Sequence, residues 1–248
     1  SLTGYINGQV FGTAMVTDEL NAHIGDVALG AYQNDTRYSD DLAATGDGDF
    51  YDGTIDEFAL YNDALTETRV EEHFATGGGD TLPIIVHDLL LDYRAEDASA
   101  DALPNVVGTY GSGGDESQSR LDWDLTGTAV ATDDVSSYPG ITRALDFAGE
   151  GSGGTFTNGG GAGSFQELIP GDTSVRDASF EIWLKPDDLT GSEVVFETGG
   201  STDGLVFYLD GSILSMAARD GADADNGVIS LSSFDLNNLG SDPTSEFF

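Results

Sequence analysis

Phe50-Tyr51-Asp52-Gly53-Thr54-Ile55-Asp56-Glu57-Phe58-Ala59-Leu60-Tyr61, running on through Asn62-Asp63-Ala64-Leu65, is the stretch whose reading decides the fold. Gly53 to Tyr61 reads as a strand, and the residues after Leu65 predict a short helix over Glu67 to Phe74. Thr66 is placed to cap that helix, and Leu65 and Val70 take the two positions of a hydrophobic staple. Gly77 stands where the chain would leave it. Val70 and Phe74, four apart, form a single narrow apolar stripe, so the helix should lie across the edge of a sheet structure. It is too short to found a domain.

Outward from this point the pattern is one of short strands. Tyr5-Ile6-Asn7-Gly8-Gln9-Val10 reads as strand, Asn-Gly turn, strand, because that dipeptide supplies the positive φ values of a type I′ hairpin. Leu205 to Leu214 repeats the arrangement around Asp210-Gly211. Further strands are expected at Val27 to Ala31, Leu89 to Ala95, Ala144 to Phe147, Ala178 to Leu184 and Glu193 to Glu197. With 34 glycines, 6 prolines and many short alternating runs, the fold class is all-β, an antiparallel sandwich. The glycine-rich tract from Gly149 to Gly163 has neither the spacing nor the lysine of a phosphate-cradling loop.

Charge narrows the function classes. The chain carries 45 Asp and Glu against 8 Lys and Arg, a net charge of −37, and Lys185 is its only lysine. Such a surface repels phosphate backbones and anionic lipid, which argues against nucleic-acid and membrane-surface partners. No apolar run approaches the length of a membrane span. With 0 cysteines there are no disulfides, thiol nucleophiles or thiolate metal sites. High Asp with one Lys fits a surface bathed in salt, where screening offsets self-repulsion, so an extracellular or cell-surface setting in a saline medium is expected.

Several of these stretches together carry a resemblance. Phe50 to Leu65 with its helix, the Tyr5-Ile6-Asn7-Gly8 hairpin, Ala178-Ser179-Phe180-Glu181-Ile182-Trp183-Leu184-Lys185-Pro186 and Arg143-Ala144-Leu145-Asp146-Phe147-Ala148-Gly149 resemble successive strands of laminin G-like, concanavalin A-like jelly rolls. Leu91 to Asp97 is similar to the opening strand of that family. Two departures stand out: Trp183 follows Ile182 directly, and Ala148 replaces an acid. The order is also changed, since the closing I-D-E segment precedes the opening strand. The resemblance therefore implies that residues 1–78 are the C-terminal part of one jelly roll, 79–83 a linker, and 84–248 the N-terminal two-thirds of a second. The family's intervening W-H-x-V-x-V-x-Y core strand neither follows Phe248 nor precedes Ser1. A window from a tandem array, with a repeat of roughly 250–260 residues, is the expectation. The two parts either complete one sandwich together or are each completed by neighbouring copies.

For chemistry, the family implies a structural calcium between the opening segment and the acid of the I-D-E strand, which by position nominates Asp56 with Glu96 and Asp97. The acidic runs Asp47 to Gly53 and Asp223 to Gly227 miss EF-hand spacing by one residue. No E-x-D-x-E carboxylate pair is present, Asp56 and Glu57 are adjacent and should face opposite ways, and the chain is not expected to be an enzyme. Trp123 and Trp183 suit the core better than a sugar platform, and His23, His73 and His87 suit packing or surface roles. The expected function is a structural or adhesive repeat of a large surface or fibre-forming protein. Its expected partners are other copies or neighbouring repeats. A carbohydrate-binding module of a secreted polysaccharide-degrading enzyme, with glycans as partner, is the alternative.

Overall fold

The structure is a computed structural model. It describes residues 1–15, 20–21, 28–31, 48–61, 63–76, 89–93, 95, 102–103, 122–126, 129–133, 135, 142–148, 153–157, 174–175, 178–198, 204–220 and 228–248. Strands β1 (Leu2–Ile6) and β2 (Gln9–Ala14) open the chain, then β3 (Leu20–Asn21), β4 (Ala28–Leu29), β5 (Asp52–Tyr61) and helix α1 (Glu67–Thr76). Next come β6 (Leu89–Tyr93), β7 (Ala102–Leu103), β8 (Asp122–Thr126), β9 (Val130–Thr132), β10 (Ala144–Ala148), β11 (Gly153–Thr157) and β12 (Ser174–Val175). The last are β13 (Ser179–Pro186), β14 (Ser192–Glu197), β15 (Gly204–Asp210), β16 (Ile213–Asp220) and β17 (Val228–Asp235), with a 3-10 turn at Leu236–Asn238.

The described chain is all-β with one helix, and every pairing between its strands is antiparallel. One sheet runs β13-β5-β10-β9, with β6 joining β5 beyond the end of β10. A second, of eight strands, runs β17-β16-β15-β14-β4-β11-β8-β7. The hairpin β1-β2 and the short pair β12-β3 stand outside these two. Strands from both sides of the 79–83 segment share both large sheets: β5 pairs with β6, β10 and β13, and β4 lies between β14 and β11. The segment itself lies outside the described residues, as does Asn34-Asp35-Thr36, the chain's lone match to a glycosylation sequon.

The sheets face each other across one core. Ile55, Phe58 and Leu60 of β5, Leu145 and Phe147 of β10 and Leu184 of β13 meet Leu29, Val195, Phe196, Leu205, Leu214 and Met216 from the other sheet. Burying each such side chain contributes about 1.5–3 kcal/mol. Phe58 and Phe180 pack on Phe196, with ring centroids 4.7 and 5.4 Å away, and so clamp the two layers.

Strand β5 departs from simple alternation. Ile55 and Phe58, three apart, both enter the core, because β13 skips Glu57 in its register: Ile182 faces Phe58 and the next residue, Trp183, faces Asp56. Glu57 is the extra residue of a β-bulge, with φ +43°. The opposite facing of Asp56 and Glu57 expected from a regular strand is therefore interrupted at that point.

The first hairpin forms as its sequence predicts, with Asn7 at φ +49° and Gly8 at φ +73°. The second forms one residue later than expected. Asp210 pairs with Ile213, so the loop is Gly211-Ser212 with positive φ at Gly211, the arrangement of a turn led by glycine. Asp235 secures that loop by accepting from Ser212 Oγ at 2.9 Å and from the Asn237 amide at 3.1 Å.

Helix α1 begins as anticipated. Thr66 caps it, its hydroxyl oxygen accepting from the Arg69 amide at 3.3 Å. It lies over the face of β13 turned away from the core: Phe74 stacks on Trp183 with centroids 5.8 Å apart, and His73 Nδ1 meets Glu181 Oε2 at 2.6 Å. Tyr61 donates to the same carboxylate oxygen at 3.3 Å. Ser179 Oγ accepts from the Leu65 amide and donates to the Asp63 carbonyl, which fastens the helix entrance to β13.

Candidate functional site

Of the three expected calcium residues, only Asp56 is among the described ones. It is buried, 1% exposed, in the middle of β5 and opposite Trp183. Glu96 and Asp97 lie outside the described residues, although Phe58 faces Tyr93 of β6 and Ala95 is buried. Among the described residues no group of three or more His, Asp or Glu is placed to hold a metal ion. Of the run Asp47 to Gly53, Asp47 lies outside the described residues, and Asp52 and Gly53 belong to β5. The run Asp223 to Gly227 lies outside the described residues, as do His23 and His87.

Acidic residues do converge elsewhere, at the start of β5. Glu193, at the entry to β14, is 9% exposed and accepts from the Asp52 amide at 3.4 Å. Burial, with the nearby charges of Asp188, Asp52 and Asp187, raises its carboxyl to about 7 in spite of that hydrogen bond. Asp52 is raised as well, by burial and then by Asp187, Asp188 and Asp146. Beneath them the Tyr51 hydroxyl donates to the Thr54 carbonyl at 3.4 Å. Burial and the charges of Glu193, Asp187 and Asp52 push it well above its ordinary value. Sequence reading missed this cluster: its members come from β5, the β13–β14 turn and β14, and only the pairing of these elements brings them together.

The tryptophan expectations resolve in part. Trp183 is 3% exposed and packs with Phe74, Phe247 and Ala144 under the helix, so it offers no sugar platform. The side chain of Trp123 lies outside the described residues. His73 is buried and bound to Glu181, a packing role.

A groove of about 400 Å³ opens between the hairpin and β13. The eight-stranded sheet lines it through Phe207, Leu214 and Met216, and helix α1 lines it through Val70 and Phe74, with Leu65 from the turn before the helix. Residues of β1 and β13 line its two sides. Among the described strands β13 is the last of its sheet, and β1 pairs only with β2. One short pairing occupies this edge: the Leu184 amide donates to the Phe248 carbonyl at 3.1 Å, and the Phe248 amide donates back to Leu184 at 3.1 Å. At the hairpin end Asn7 Oδ1 is buried with no hydrogen-bond partner among the described residues.

The hairpin itself sits over the second sheet. Phe11 meets Phe234 of β17 edge-on, with centroids 5.8 Å apart, and Ile6 joins the common core. The hairpin is a sheet of its own, and β1 lies across the groove from β13. Among the described residues the fold is that of an antiparallel all-β sandwich with one helix. Set against family models, curated proteins and solved structures, the chain matches none. No helix among the described residues is long and apolar enough to cross a membrane.

Proposed function

We propose that this chain is a non-enzymatic structural or adhesive module of an extracellular surface or fibre-forming protein, built as a laminin G-like jelly roll. Its work in this reading is to join neighbouring polypeptide through β-sheet edges. The observation that carries the proposal is the groove, where among the described residues β1 and the part of β13 before the Leu184–Phe248 pair have no further strand partner and line an apolar floor. Proteins ordinarily cover, charge or shorten such edges, because unpaired N–H and C=O groups template association. Here the groove is lined by Leu2 of β1 and by Phe180 and Ile182 of β13.

Sedimentation velocity over a hundredfold range of concentration tests the reading. Wild type should associate, and Leu2→Lys, which sets a charge in the groove, should associate less while keeping its β signature in circular dichroism. A wild type that stays monomeric throughout would overturn it.

Calcium belongs to the same proposal. Asp56 is buried beside β6, whose pairing of Tyr93 with Phe58 brings the opening segment alongside the I-D-E strand. Saturating calcium is expected to raise the melting midpoint by roughly 5 °C over a chelated sample, and Asp56→Asn to remove that rise. An unchanged midpoint would count against calcium and leave the edge-joining role standing.

A further inference from the structure

We infer that the β1-β2 hairpin is a flap, which lifts from the sandwich as one folded unit before either large sheet opens and bares the face of β17 beneath it. This goes beyond the reading of the chain as an assembly module and stands whether or not the chain assembles.

The hairpin's backbone is bonded to itself. β1 pairs with β2 and with no other described strand, and no backbone hydrogen bond joins residues 1–14 to another described element. Among the described residues one side-chain bond leaves the hairpin, from Gln9 Nε2 to Glu71 Oε1 at 3.4 Å, in an exposed position. Residues 2–14 include no Lys, Arg, His, Asp or Glu, so no ion pair fastens them. The strands of the two large sheets are instead stitched to their neighbours by ladders, and lifting one of them breaks a row of hydrogen bonds.

What attaches it is a small apolar footprint. Ile6 is its one large side chain buried in the common core, with Leu2 and Phe11 partly buried against that core. Strand β2 has no buried residue, and Val10 is 46% exposed. The Phe11 ring meets Phe234 edge-on, but it also lies over Gly4 of the paired strand, where a side-chain carbon would come 2.3 Å from the ring. The hairpin thus carries its own ladder, its Asn7-Gly8 turn and a packed ring with it when contact with β17 is lost.

Beneath the hairpin, β17 alternates between covered and open positions. Ser232 is 6% exposed, whereas its neighbour Leu231 is 50% exposed. The cover over Ser232 is β2: a side chain at Gly12 would begin 2.3 Å from Ser232 Oγ and 3.6 Å from Ser232 Cβ. Gly12 thus lets the backbone of β2 lie directly on the serine, and lifting the hairpin opens Ser232 to solvent. The chain has no cysteine, so a thiol placed at that position would be its only one.

Ser232→Cys supplies that thiol, and Val195→Cys, at a fully buried core position of β14, supplies the comparison. Labelling of each by an aromatic disulfide is followed in the full chain, in urea below the unfolding transition, with reagent dilute enough that closing outpaces labelling. The thiol of Ser232→Cys should react at least about 100-fold faster than that of Val195→Cys, with a much shallower dependence on urea, because a lifted flap exposes little surface. Adding Ile55→Val, which weakens the core away from the hairpin, should speed the second thiol by roughly 3- to 10-fold and leave the first unchanged. Equal rates, or equal responses to urea and to Ile55→Val, would mean that the hairpin leaves only when the whole fold opens, and would overturn the inference. Labelling of Ser232→Cys as fast as in fully unfolded chain would overturn it too, since no closed flap would cover the site. Hydrogen exchange in the unmutated chain is a check that needs no substitution. The β1-β2 amides should exchange at least about tenfold faster than those of β14 to β16, because a two-stranded hairpin on its own is only marginally stable. Equal protection would refute the flap, and fast exchange beside slow labelling of Ser232→Cys would show a hairpin that frays in place, which refutes it equally.

Discussion

Glu193 shows what a single buried acid does in a chain with so few cations. Its carboxyl loses a proton near pH 7 in the folded state and near 4.5 when unfolded. Between those values the native state holds the proton that the unfolded state has released, so the contribution of Glu193 to stability is greatest below about pH 4.5 and falls as pH rises to 7. After allowance for solvent screening the loss is about 1–2 kcal/mol. Glu193→Gln keeps an acceptor for the Asp52 amide and removes the charge. It should raise the unfolding free energy by about 1 kcal/mol at pH 8 and change it little at pH 4, as read by urea titration at both values. A variant destabilised at pH 8 would show that the charge is compensated. Nothing in the sequence around Glu193 marks this residue. Asp52, Asp187 and Asp188 reach it only because β5, β13 and β14 meet, which is why the expected acids were Asp56, Glu96 and Asp97 instead.

At the scale of elements, β5 is the strand on which the first sheet is assembled. It pairs with β13 along its length on one side and with β10 and β6 in turn on the other. Gly53 sets the spacing at its start: a side-chain carbon there would lie 2.5 Å from the Lys185 carbonyl oxygen and 2.7 Å from Pro186 Cα. Both neighbours are backbone and cannot rotate aside. Gly53→Ala should therefore cost about 1–3 kcal/mol, measured as a lowered denaturation midpoint with an unchanged slope. A stability equal to wild type would mean that β13 can shift outward freely. Elements whose cause is local were legible in the sequence: the Asn7-Gly8 turn, the Thr66 cap and the strand at Ser179 to Leu184 all formed where their residues predict. The second hairpin moved by one residue because Asp210 is held in the ladder by Ile213, and cross-strand pairing outweighs the turn preference of Asp-Gly. The bulge at Glu57 was not legible, since an extra residue is defined only against the partner strand that skips it.

For the whole molecule the dominant quantity is the net charge of −37 on 248 residues. Compaction brings these charges together, and screening relieves their repulsion. Raising sodium chloride from about 0.1 to 1 M should increase the melting midpoint by several degrees, with most of the gain at the low end where the screening length shortens fastest. A midpoint insensitive to salt would indicate that the acids are already paired or spread beyond mutual influence. Glu193→Gln separates the buried share of this effect from the surface share, because the buried share is screened far less.

The sequence by itself determined the all-β character, the placing of most described strands, the single capped helix and the acidity. These follow from local periodicity, turn chemistry and composition, which act over a few residues or over the chain as a sum. Only the tertiary structure decided which strands neighbour each other, that Asp56 is enclosed opposite Trp183, that the carboxylates gather around Glu193, and that β1 and β13 line one groove. The decisive contacts join residues far apart in the chain, such as Asp52 with Glu193 and Asp56 with Trp183, for which short-range pattern carries no signal. The stretch from Phe50 to Tyr61 belongs to both sides of this division: its residues made the strand, and its partners made it the centre of a sheet.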